Sequence, residues 1–102
     1  MIFSFNYCFC GEILYVEVCD HELIYHTKTG NISSRSTLAE AESILGASRF
    51  FRCGKAFLVN LEYVDSVQGI DIIIGSERIQ VSRARKKALL DALNDYMNEV
   101  SK

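Results

Sequence analysis

The sequence predicts a mainly β fold of short antiparallel strands with one short mid-chain helix and a C-terminal helix. Three observations carry this prediction. Short β-branched and aromatic runs recur between polar or glycine-containing breaks. Thr37, with Glu40 three residues later, precedes an apolar stripe closed by Gly46. Leu89, Leu93, Tyr96 and Val100 follow one another at spacings of four, three and four, which puts them on one helical face.

Taken in chain order, Glu12 to Val18 reads as the first strand, and Asp20-His21-Glu22 is a polar break. Tyr25 to Lys28 resumes the β pattern, and Thr29-Gly30-Asn31 supplies a turn towards Ile32 and Arg35. The mid-chain helix carries Leu38, Ala41, Ile44 and Leu45 on the face that should pack on the sheet. Phe57–Val59, Tyr63–Val67, Ile70–Ile74 and Arg78–Val81 read as strands, the last three as consecutive hairpins with turns at Gly69 and Gly75-Ser76. From Ser82 the chain is helical, with Asp91, Asp95 and Glu99 on a second face.

A chain of 102 residues with no proline, no repeat and no low-complexity run reads as one domain over residues 1–102. Its 49% hydrophobic content suits a globular core, and no segment is apolar for the length a membrane span needs. The first residues lack the basic start and cleavage site of a secretory signal, so a cytoplasmic location is expected, with reduced thiols at Cys8, Cys10, Cys19 and Cys53. Cys8 and Cys10 share a strand face, but their spacing is not that of a structural zinc site with His21 and His26, so no metal or cofactor is expected. The net charge of −2 argues against a nucleic-acid partner only if charge is evenly spread. It is not: Arg78, Arg83, Arg85, Lys86 and Lys87 fall in a stretch without acids, while Glu12, Glu17, Asp20 and Glu22 cluster early and Asp91, Asp95 and Glu99 late. Such a chain can present one basic face.

Two segments stand out chemically. In Phe50–Asn60, two cations and an amide interrupt an apolar run, with Gly54 allowing a sharp loop from which Lys55 projects towards a base edge or phosphate. Arg52, among Phe50, Phe51 and Phe57, suits a structural role along apolar surface or in an ion pair. Asn60 suits a turn whose backbone its side chain satisfies. In Ser82–Lys87, four cations open a helix, the end where positive charge is least comfortable and where unpaired N–H groups attract anions. Anion contact and a solvated run with Lys87 paired to Asp91 are both open readings of that cluster. His21, in the polar break, should be exposed, whereas His26 belongs to a strand. No phosphate loop, nucleophile elbow or His-Glu-x-x-His motif is present, so an enzyme is not expected. Cys53, beside Arg52 and Lys55, reads either as a small buried hydrophobe or as a redox-sensitive thiol.

Several blocks in order resemble the LytTR-type DNA-binding domain of bacterial response regulators, over about Ile13 to Tyr96. They are Ile13-Leu14-Tyr15-Val16-Glu17, then Phe50 or Phe51 leading into Arg52, Lys55, Val59 and Asn60, the aliphatic pair Val64 and Val67, Gly75, and Ile79-Gln80-Val81-Ser82-Arg83. The resemblance implies short stacked antiparallel sheets with small helices, and loops inserted into successive DNA grooves. It implies contact roles for His21, Lys55 and Arg83, to which charge and proximity add Arg85 and Lys86 as phosphate contacts. Gly54 and Ala56 depart from the family, which often has His and Ser there.

The function expected is that of a sequence-specific DNA-binding regulator of transcription in a two-component system, acting on double-stranded promoter DNA with no membrane partner. Binding as a monomer and binding as pairs of domains on repeated sites are both open readings, and the resemblance points to a receiver domain or other regulatory partner outside this chain. The alternative from another class is a small β-rich protein-interaction module without DNA binding.

Overall fold

The computed structural model describes residues 13–46 and 49–100, with Glu99 and Val100 by backbone alone. Strands β1 (Ile13–Cys19), β2 (Glu22–Thr27) and β3 (Gly30–Ser34) form an antiparallel meander. Helix α1 (Leu38–Leu45) follows, with the Thr37 hydroxyl accepting from the Glu40 N–H at 3.1 Å and the Glu40 carboxylate accepting from the Thr37 N–H at 2.9 Å. It stops at Gly46, whose φ of 96° is one that side-chain-bearing residues rarely adopt. Strands β4 (Phe50–Arg52) and β5 (Phe57–Asn60) return to the first sheet, where β5 pairs with β1, giving the order β3-β2-β1-β5-β4. A 3₁₀ turn at Leu61–Tyr63 leads to the second sheet of β6 (Ser66–Gln68), β7 (Asp71–Ile74) and β8 (Glu77–Gln80), and α2 (Arg83–Val100) closes the chain.

The five-stranded sheet packs on one face against α1 and, over β1, β5 and β4, on the other against the second sheet and α2. On one side α1 places Leu38, Ala41 and Leu45 against Ile13, Val16, Leu23, Tyr25, Phe50 and Leu58. On the other, Tyr15, Phe51 and Val59 meet Ile72, Ile74 and Ile79 of the second sheet and Leu89 of α2. A single irregularity in β1 makes this possible. Side chains alternate along a regular strand, so Ile13 and Val16 would point opposite ways. Ile13 pairs with Thr27 and Tyr15 with His26, leaving Leu14 as an extra residue, and this bulge resets the phase so that Ile13 and Val16 share the α1 face. Leu89 is fully buried and anchors α2, and truncating it to alanine would cost about 2–5 kcal/mol.

The structure corrects the sequence reading at several points. The break after β1 is only Asp20-His21, because Glu22 already pairs with Cys19. β4 is a strand that its three residues do not announce, since Phe50 and Phe51 are buried in different cores. The strand expected at Tyr63–Val67 is instead the 3₁₀ turn and the short β6. Asn60 sets that turn: fully buried, it accepts from the Glu62 N–H at 2.9 Å and donates to the Ile13 carbonyl at 2.8 Å. Cys8, Cys10 and Glu12 lie outside the described residues, as do the side chains of Glu99 and Val100. No helix among the described residues is long and apolar enough to cross a membrane.

Candidate nucleic-acid interface

Three segments adjoin at one end of the strands of the five-stranded sheet. The β1–β2 turn is the first, with Asp20 at φ 48° and His21 at φ 68°. Two-residue hairpin turns that match strand twist need positive φ, which asparagine or glycine usually supplies. Here two other residues take it at a conformational cost, and both are exposed. The His21 imidazole has no partner among the described residues.

The β4–β5 loop is the second. Gly54 is not sterically required, since its φ is outside the left-handed region and a Cβ there would meet nothing within 4 Å. What shapes the loop is Arg52, whose Nε donates to the Gly54 carbonyl at 3.3 Å and whose Nη1 lies 3.7 Å from a Glu42 carboxylate oxygen on α1. This is the structural role expected of Arg52. Lys55, next in line, is exposed.

The start of α2 is the third. The Ser82 N–H donates to the Cys53 carbonyl at 3.3 Å, and the Val18 N–H donates to the Ala56 carbonyl at 2.9 Å, so the β4–β5 loop is tied to both neighbours. Side chains complete the join: His21, Arg52 and Lys55 line one shallow depression, and Arg52, Lys55, Ser82 and Arg85 line the next. Arg83 and Lys86 stand three residues apart on the first turns of α2, Arg83 exposed and Lys86 partly buried.

Charge pairing separates these cations from the rest. Among the described residues, Arg35, Arg49, Arg52, Arg78 and Lys87 each pair with a carboxylate, and Lys28 lies over the Tyr63 ring. Lys55, Arg83, Arg85 and Lys86 have no carboxylate partner there. Unneutralised cations on adjoining loops suit an anion of extended shape. The band is not uniformly positive, since exposed Asp20 shares the turn with His21, so that loop offers hydrogen bonding more than charge.

The remaining candidates belong to the scaffold. His26 stacks on Tyr15, ring centroids 4.2 Å apart, with its Nε2 2.8 Å from a Glu17 carboxylate oxygen. Burial pushes the Cys53 thiol up to about 12, offset in part by the Arg85 charge, so the thiolate that redox chemistry needs is suppressed. Two contributors escaped the sequence reading: Glu42, the partner of Arg52, and Phe51, on whose ring the Arg85 guanidinium lies at 4.8 Å. The spacing of Arg85 four residues before Leu89 puts it on the side of α2 that meets the core, but only the fold shows that Phe51 is what it meets.

Residues 7–94 match the family described as the LytTr DNA-binding domain. The fold is similar to a solved LytTr DNA-binding domain of a Bacillus cereus response regulator, with a TM-score of 0.74 at 20% identity over 82% of this chain and 83% of that one. No curated protein sequence matches the chain.

Proposed function

Because the chain belongs to the LytTR family of DNA-binding domains, we propose that its three adjoining loops form a sequence-specific DNA-reading edge of a transcription regulator. His21, Lys55 and Arg83 contact base edges, and Arg85 and Lys86 hold the flanking phosphates. Promoter DNA is the partner, with a second domain on a repeated site and a receiver or other regulatory partner as further associations. The observation that carries this reading is that Lys55, Arg83, Arg85 and Lys86 lack carboxylate partners among the described residues, although the chain as a whole is acidic.

Loops suit this task physically. A side chain on a tight turn projects far enough to reach a groove, and hydrogen bonds between the loops hold their spacing.

The test is a salt-titrated binding assay with duplex DNA. Two phosphate-neutralising cations, Arg85 and Lys86, give a slope of log affinity against log salt of about −1.8. An interaction module without DNA binding would form no complex even at low ionic strength, and that outcome removes the proposal.

A further inference from the structure

The strand end before Lys55 is gripped from two sides. Arg85 Nε donates to the Arg52 carbonyl at 2.8 Å, and the same guanidinium lies against the Phe51 ring at 4.8 Å. From the opposite side, the Arg52 side chain reaches the Gly54 carbonyl at 3.3 Å and approaches Glu42 at 3.7 Å. The Ser82 N–H on the Cys53 carbonyl adds a backbone tie to the helix start. Every residue from Phe51 to Gly54 is thus held by a group from α1, Ser82, α2 or Arg52, and Lys55 projects from the end of that braced segment.

We propose that Arg85 is a positioning residue that locks the Lys55 loop against the start of α2, so that Lys55 and Arg83 approach DNA as one rigid unit. The proposal rests on the reading of Lys55 and Arg83 as base contacts. Arginine is suited to this in a way lysine is not. Its planar fork stacks on an aromatic face while Nε donates sideways, and the two Nη groups still present positive charge outward. A lysine at the same place supplies the charge alone. Charge and positioning are therefore separable by a conservative substitution.

The experiment compares the parent domain with Arg85→Lys, using a duplex enriched from a random pool by the parent and a random duplex of equal length, across a salt series. In parallel, amide hydrogen exchange of residues 53–56 is followed in both free proteins. The expected result is a roughly tenfold fall in the ratio of enriched-site to random affinity. The salt slope and thermal midpoint stay close to the parent's, and amide exchange speeds up within the loop only. Equal weakening on both duplexes, or a parent-like affinity ratio, overturns the proposal, as does unchanged exchange in the loop. A parent domain with no preference for any duplex sinks the DNA reading instead, and the exchange comparison then decides alone whether Arg85 restrains the loop.

Discussion

The Val18 N–H donates to the Ala56 carbonyl at 2.9 Å, one step beyond the last β1–β5 ladder pair, Glu17 with Phe57. The ladder therefore runs into the β4–β5 loop, and the turn bearing His21 and the loop bearing Lys55 leave the same pair of strands. A shift of one would carry the other with it, so two loops far apart in sequence keep a fixed spacing.

His21 sits in the left-handed region at an exposed turn, a backbone conformation that costs a side-chain-bearing residue free energy. His21→Gly should raise unfolding stability by about 0.5–1 kcal/mol by relieving that strain. His21→Ala should leave stability within about 0.5 kcal/mol of the parent. Both should weaken binding to the enriched site. Thermal melts with binding isotherms check this, and parent-like binding by either variant would remove the β1–β2 turn from the interface.

Asn60 is the most consequential buried polar residue described. Asn60→Ala would strip the Ile13 carbonyl and the Glu62 N–H of their side-chain partner and leave a small cavity, at a cost of about 2–4 kcal/mol. Denaturant unfolding should show a lower midpoint with an unchanged slope. A loss under about 0.5 kcal/mol would mean that both backbone groups find other partners.

The Cys53 thiol, pushed up to about 12 by burial, gives stability a definite pH dependence. In the unfolded chain the thiol ionises near its ordinary value of 9.0, while the folded chain keeps its proton to about 12. Across that window the folded state binds more protons, so stability declines as pH rises. Burial also raises Tyr15, with Glu77 and then Glu17 adding to the effect, and it raises Tyr25, in the same direction for stability. Thermal midpoints should fall above pH 9, and less steeply in Cys53→Ala. At neutral pH an alkylating reagent should label exposed Cys19 and spare Cys53.

How much of this was legible in the sequence depended on whether a feature's cause was local. The α1 boundaries were legible because Thr37, Glu40 and Gly46 act within one helical turn of each end. The bulge at Leu14 was not, because Ile13-Leu14-Tyr15-Val16 is apolar throughout and no alternation shows which residue is extra. β4 was hidden for a related reason: a three-residue strand buried on both faces has no period to read. At the interface, the exposure of His21, Lys55 and Arg83 followed from turn and motif position. The brace through Arg85 did not, because it depends on Phe51 and Arg52 arriving from a distant part of the chain.

The central claim, that Lys55 and Arg83 read bases while Lys86 only holds phosphate, is tested most directly by binding of Lys55→Ala, Arg83→Ala and Lys86→Ala to the enriched site and to random duplex at fixed salt. The account predicts that the first two lose roughly 1–3 kcal/mol of preference for the enriched site. Lys86→Ala should weaken both duplexes alike and reduce the salt slope by about one. Equal losses on enriched and random duplexes for all three variants would contradict it, leaving a band of charge that holds DNA without reading it.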